Sequence, residues 1–302
     1  MKIGITGGSG FIGQALTRFF VSQGHELFLF TRMKTSQSPQ KEVTYLTWDP
    51  SRSFIPDHLP PMDVLINLAG ATINKRWTST YKNEILNSRI EATKTVVNYI
   101  KTNPPEVLIN ASAIGYYGTS LTHVFTEEDF VAPTDFLSHV TREWEAEAMN
   151  ATNYGVRVVP IRFGLVLGKE GGALPRLVLP YKFFIGGKVG SGEQWVSWIH
   201  IQDLVELIAF AITNESIEGS LNGTSPAPIQ MKKLGQALAH VLKRPNFFPV
   251  PGIILKSALG EMSELVLKGQ NVLPNKALDN GFTFQFPEIH GALTDLITSI
   301  KT

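Results

Sequence analysis

Gly7, Gly10 and Gly13 stand three apart in "TGGSGFIG", directly after the apolar run Met1–Thr6 and at the head of "QALTRFFVSQG". Glycines at that spacing between a strand and a helix suit a phosphate. The first permits a tight turn, the second lets the backbone approach a pyrophosphate, and the third lets the helix pack closely on the strand. The N–H groups at the helix start, aided by the helix dipole, then face the anion. A second apolar run, "HELFLFT", ends at Thr31 and Arg32. An acid near this place would bond a ribose 2′-hydroxyl and repel a 2′-phosphate. Thr31 removes that acid, and Arg32 offers a planar, permanently charged guanidinium, which points to NADP(H) over NAD(H). The alternative reading of Arg32 is an ordinary surface residue at a strand end.

Elements that would position these groups alternate along the first half of the chain. "KEVTYLTWD" reads as a third strand and "MDVLINLAG" as a fourth. A long helix over Ser79–Lys101 follows, then a fifth strand, "EVLINASA". A helix near Asp135–Ala151 leads to a sixth, "GVRVVPIRFGLVLG". Near-continuous Val, Ile and Leu runs between helices predict an α/β, Rossmann-type doubly wound parallel sheet, with ligands at the carboxyl ends of its strands. After Gly168 the texture becomes rich in glycine and proline, which predicts a smaller C-terminal α/β cap. The expected division is a nucleotide-binding domain over 1–167, with 195–222 returning to it, and a cap or substrate region over 168–302. Helices are expected from Gln202 to about Thr213 and over Met231–Leu242, with "RPNFFPVPG" as a break.

Composition narrows the function classes. The chain has 302 residues, 43% hydrophobic and 18% charged, as in a globular protein. Twenty-seven Lys and Arg against 26 Asp and Glu leave a net charge of +1, which gives no bulk electrostatic case for nucleic acid or for a membrane. Cysteine is absent, so disulfides, thiolate metal sites and a cysteine nucleophile are excluded. The histidines show no short metal-ligand spacing, and no metal is expected. No apolar run approaches the length of a membrane span, and a cytoplasmic location is the expectation.

"TGGSGFIG", "NLAG", "NSRIEAT" and "WIHIQDL" together resemble the extended short-chain dehydrogenase/reductase superfamily. "TWDP", "SAIGYYG", "REWEAEA", "RFGLVLG", "GSGEQWVSWIHIQDL" and the tail "LKGQNVLPNKALDNGFTFQFPEI" resemble, more narrowly, its atypical epimerase-like subfamily. Some members of that subfamily are labelled cell-division inhibitors. The resemblance implies that Gly7, Ser9, Gly10, Phe11 and Ile12 surround the pyrophosphate, and that Thr31 and Arg32 meet the adenosine ribose phosphate. It places Leu68 and Ala69 along the adenine–ribose side, brings Glu84 and Arg89 to the cofactor across the cleft, and sets Val166 at the nicotinamide end. On spacing alone, Glu84 and Arg89 are five apart and would read as solvated charge.

Dehydrogenases of this superfamily are expected to use a tyrosine as acid and base, with a lysine four residues on that lowers its pKa. Aligned on its glutamates, the helix "FLSHVTREWEAEA" puts Leu137 and Thr141 at those places, and no tyrosine of the chain has a lysine four residues later. The best substitutes are Ser112, at the end of the fifth strand, with Tyr116 or Tyr117. The alternatives are that Ser112 caps a turn and that the tyrosines are wall residues. His139, one turn from Asp135, and His200, three residues before Asp203, are further candidates; their alternatives are that His139 is surface and that His200 with Asp203 ties the cap to the sheet by hydrogen bonding. "SGEQWVSW" with "PYKFF" predicts either an apolar pocket or a buried aromatic cluster. The reading is an NADP(H)-binding, epimerase-like oxidoreductase on an unknown small carbonyl or sugar-like substrate, with a homodimer implied by analogy. Its rivals are a non-catalytic NADP(H)-sensing regulator and a nucleotide-sugar epimerase.

Overall fold

Apolar runs flanked by glycine and polar turns form strands covered on both faces, and seven of them make one parallel sheet. The computed structural model of the chain describes residues 1–32, 41–52, 59–133 and 135–298. The strands are β1 (Lys2–Thr6), β2 (Glu26–Thr31), β3 (Val43–Thr47), β4 (Val64–Asn67), β5 (Val107–Ala113), β6 (Arg157–Phe163) and β7 (Leu221–Gly223). Their spatial order is 3-2-1-4-5-6-7, and every neighbouring pair is parallel. The order reverses between β1 and β4, where an open sheet of this kind leaves a crevice at its carboxyl edge.

Helices cover both faces. On one side α1 (Phe11–Ser22) and α5 (Ile201–Thr213) bury Leu16, Phe20, Leu204 and Ile208 against Ile3, Ile5, Ile109 and Ile161. On the other, α2 (Ser79–Ile100) and α3 (Phe136–Met149) close over Phe28, Leu65 and Leu108 with Val96, Val97 and Ala148. Each long helix carries its own start signal. Thr78 accepts from the Tyr81 N–H ahead of α2, and Asp135 and Ser138 cap α3 reciprocally. Gly24, at φ 76°, follows the end of α1 in the left-handed region.

A third apolar cluster lies in the second half of the chain. It joins α4 (Leu174–Lys182), α6 (Met231–Leu242) and the tail helix Ile289–Thr298 around Trp198, Leu234 and Leu293, with α7 (Gly252–Leu259) beyond α6 in the chain. Three expectations need correction. The sixth apolar run is two strands, because the chain turns at Gly164, where a Cβ would come 2.5 Å from the Ser197 carbonyl oxygen; Leu165–Leu167 then pairs with Trp198–His200 outside the main sheet. "SLNG" supplies β7, which its three residues are too few to announce. The first helix begins at Phe11, inside the glycine motif.

Candidate functional site

The glycine turn lies at the point where the strand order reverses. Gly7 holds φ 68°, and a Cβ there would come 2.9 Å from the Leu68 backbone, so the turn is pressed against the segment that follows β4. At Gly13 a Cβ would meet the Gly7 oxygen at 2.5 Å and the Gly8 Cα at 2.6 Å, which fixes how closely α1 approaches. Gly10 precedes α1 with no side-chain cap, and no acid stands in the first turn. That helix end therefore presents backbone N–H groups and the positive end of a dipole. Ser9 and Gly10 are exposed, Phe11 and Ile12 are half-buried, and Arg32 is exposed where β2 ends.

Beneath the turn runs a ladder of buried polar side chains. The Thr6 hydroxyl donates to Asn67 (2.6 Å) and accepts from the Leu68 and Ala69 N–H groups (3.2 and 3.3 Å). The Asn67 amide donates to Thr93 and to Asn110 (2.9 and 2.7 Å). Facing strands thus hold Leu68 and Ala69 beside Gly7. Arg89 does not extend as a solvated charge. Its Nη1 donates to the Ala71 and Ile85 carbonyls (3.1 and 2.8 Å), its guanidinium lies over Trp144, and burial lowers its pKa to about 10, which leaves it cationic at neutral pH. Glu84 is exposed on α2. Val166 is half-buried, and its carbonyl accepts from the Ala173 N–H (3.2 Å). The Phe11 ring fills the space a Cβ would need at Gly168, Gly171 and Gly172, so the turn after Val166 packs on the glycine motif.

The three hydroxyl candidates fall into one cluster below the carboxyl end of β5. Ser112 donates to Glu145 (2.6 Å), whose two oxygens take the Nε and Nη2 groups of Arg162 side by side (2.9 Å each). Arg162 also donates to the Tyr117 oxygen (2.8 Å), and Tyr117 donates to Asn222 (2.8 Å). Burial alone would lower the Arg162 pKa, but the bonds and charge of Glu145 outweigh it and raise it. Burial pushes the Tyr117 phenol up to about 12 against the pull of Arg162, so it stays neutral. The Tyr116 ring lies between two guanidiniums, Arg162 at 3.3 Å and Arg142 at 4.2 Å, and its hydroxyl accepts from Arg142 (3.3 Å). Ser112, Tyr116 and Tyr117 are all buried, at 2%, 8% and 1% exposure.

Leu137 and Thr141, at the places where the tyrosine–lysine pair is expected, lie on the inner side of α3. A Cβ at Gly115 would sit 3.2 Å from Leu137 Cβ, and Leu137 packs with Trp77, Tyr81, Ile85 and Met262 in an apolar group. Thr141 returns its hydroxyl to the Leu137 carbonyl (3.0 Å). His139 is exposed. His200 and Asp203 secure the tail separately rather than by bonding each other. His200 caps α5 and pairs with Asp295 (3.3 Å), while Asp203 accepts from the Gln285 and Phe286 N–H groups (2.7 and 3.0 Å). From "SGEQWVSW" and "PYKFF", Tyr181, Val196 and Trp198 join one buried cluster, the second of the two alternatives, while Trp195 bonds the Leu121 carbonyl and Phe183 and Phe184 are exposed. Sequence reasoning missed Glu145, Arg162 and Asn222. The available signal was charge at core positions: Arg162 inside an apolar strand and Glu145 on the face shared with Thr141 and Ala148.

A glycine turn at the switch point of a seven-stranded doubly wound sheet defines a Rossmann-type dinucleotide-binding fold. The chain belongs to the NAD dependent epimerase/dehydratase family, whose profile matches residues 3–222. Residues 250–296 match a domain of unknown function, DUF1731. Epimerase family protein YfhF of Bacillus subtilis is 45% identical over the full length of both chains. A crystal structure of human epimerase family protein SDR39U1 (isoform 2) with NADPH superposes at TM-score 0.89 and 33% identity, covering 99% of each chain. A nucleoside-diphosphate sugar epimerase from Corynebacterium glutamicum superposes at TM-score 0.79 and 31% identity, covering 98% of this chain and 58% of that one.

Proposed function

We propose that the chain binds NADP(H) across the β1–β4 crevice and is an oxidoreductase of epimerase type acting on a small carbonyl or sugar-like substrate. One observation carries the reading: an uncapped, acid-free helix start faces the crevice, and Arg32 stands where an NAD site would place an acid. The human relative that superposes along almost the whole chain was solved with NADPH. The glycine turn fits such a group, since the missing Cβ atoms at Gly7 and Gly13 let the Leu68 segment and α1 close against the turn, and Gly10 puts no side chain over the N–H groups at the helix start. Ser9, Gly10, Phe11 and Ile12 would hold the pyrophosphate, Thr31 and Arg32 the 2′-phosphate, and Leu68 and Ala69 the adenine–ribose side. Arg89 would set the backbone after Ala69, Glu84 would border the opening, and Val166 would border the nicotinamide.

Bound NADP(H) supplies hydride exchange with a carbonyl carbon. Proton handling falls to this chain's own hydroxyls. Tyr116, held by Arg142 and Arg162, is assigned that role, with Ser112 and Tyr117 fixing the segment through Glu145 and Asn222. The cap, residues 168–194 and 223–298 among those described, would cover the substrate with its sheet-facing side, leaving outward residues such as Phe183 and Ile253 clear of it. Leu137 and Thr141 in place of the usual pair favour a second reading, an NADP(H)-responsive regulator that turns nothing over.

Calorimetry with both reduced coenzymes tests the first reading. NADPH should bind more tightly than NADH, and Arg32→Ala should weaken NADPH by about tenfold or more, as expected for one charge-assisted contact, with little effect on NADH. Equal losses would overturn the role of Arg32. Consumption of NADPH against a panel of carbonyl compounds, abolished in Tyr116→Phe, separates enzyme from regulator.

A further inference from the structure

The net charge of +1 conceals a strong segregation. Residues 171–192 contain three cations and residues 231–260 contain five, with no Asp or Glu in either stretch. The remaining 250 residues hold the other 19 cations and all 26 acids, a formal charge of −7. The two basic stretches meet in space. The Phe248 N–H donates to Gly186 (3.1 Å), the Val250 N–H to Lys188 (2.8 Å) and the Gly190 N–H to Val250 (3.0 Å), and the Arg244 guanidinium lies over the Phe184 ring at 4.4 Å.

Where they meet, large apolar side chains point outward. Phe183 is 68% exposed, Phe247 70% and Ile253 75%, with Phe184, Ile185 and Ile254 above half. Phe184 is held at φ 63°, a left-handed conformation that costs a side chain about 1 kcal/mol or more, and its N–H is tied back to Tyr181 (3.0 Å). Helix α7, of sequence GIILKSAL, buries none of its residues. Lys182, Lys188, Lys243, Arg244 and Lys256 surround this patch and are all exposed. Lys232, farther back, is paired with Glu193.

We propose that this face docks on an anionic phospholipid bilayer. Exposed aromatic and aliphatic tips ringed by lysine and arginine match the two layers of such a surface: apolar groups enter the acyl boundary and the cations meet the headgroups. A second copy presenting the same face would set like charges against each other. The contact is peripheral, since among the described residues no helix is long and apolar enough to cross a membrane.

The test is sedimentation of the full chain with vesicles of phosphatidylcholine alone and of equal parts phosphatidylcholine and phosphatidylglycerol. Binding should require the anionic lipid and weaken with salt. Lys243→Ala and Arg244→Ala should each lower the partition coefficient about fivefold. Phe183→Ser and Ile253→Asn, both at exposed positions, should each lower it about tenfold with unchanged thermal midpoints and NADPH affinity. No binding to the anionic vesicles at low salt overturns the proposal. So does binding that persists undiminished in Phe183→Ser and Ile253→Asn, which would mark a purely electrostatic site for an acidic macromolecule. Self-association through this face, lost in Phe183→Ser while vesicles stay unbound, overturns it as well.

Discussion

Replacing Glu145 by Gln keeps the shape of the side chain and removes one charge from the centre of the buried cluster. Four hydrogen bonds converge on that carboxylate: Ser112 at 2.6 Å, two from Arg162 at 2.9 Å and Ser220 at 3.3 Å. The Arg162 side chain is only 4% exposed, so water cannot replace the lost partner. Breaking one side of a buried pair costs about 3–5 kcal/mol because the surviving charge stays desolvated. In a chain this long that lowers the thermal midpoint by about 5–8 °C. The assay is equilibrium urea unfolding without coenzyme, so that ligand binding does not mask the loss. Glu145→Leu with Arg162→Met removes both charges, and it should recover at least half of the loss. A loss under about 1 kcal/mol for Glu145→Gln, the range of a surface pair, would refute the reasoning. Additive losses in the double variant would refute it too, because the pair would then carry no coupling.

Two further outcomes follow from the geometry. Gly13→Ala drives a methyl into the backbone of Gly7 and Gly8 and should cost about 1–3 kcal/mol while weakening NADPH at least tenfold in a fluorescence titration; Gly24→Ala, with open space around it, should show only the strain of its positive φ. Burial holds the His200 imidazole below its usual 6.5, against the pull of Asp295, so the unfolded chain takes up a proton first as pH falls. Stability should therefore decline from about pH 6.5 downward until the native imidazole itself titrates, and the slope should flatten in His200→Asn when thermal midpoints are followed between about pH 5.5 and pH 8.

The nucleotide half was legible because its determinants are local. Strand, glycine turn and helix are contiguous from Lys2 to Ser22, and Gly10 and Gly13 answer contacts with neighbours a few residues away. The apolar runs of β1, β2, β4 and β5 announce strands in the same manner. The cluster around Glu145 was not legible, since Ser112, Glu145, Arg162 and Asn222 come from four elements and meet only once β5, β6 and β7 are side by side. The short "LNG" of β7 has no periodicity to read, though all three residues are buried. Tyr116 and Tyr117 stood open between a catalytic and a wall position because adjacent residues in a turn can face different partners, and here each phenol meets a different set of side chains. The chemistry is harder than the coenzyme for the same reason: its groups are assembled through space.

Asp203 grips the amide N–H groups of positions 285 and 286 and ignores what those residues display. Any amino acid except proline can satisfy that carboxylate, so the anchorage runs through the backbone, while the side chains at these positions serve other contacts: Phe286 stacks on the His200 ring at 3.9 Å and Gln285 donates to Glu206. A proline at either one would take one of the two N–H donors from a buried carboxylate and loosen the hold on the carboxy-terminal helix.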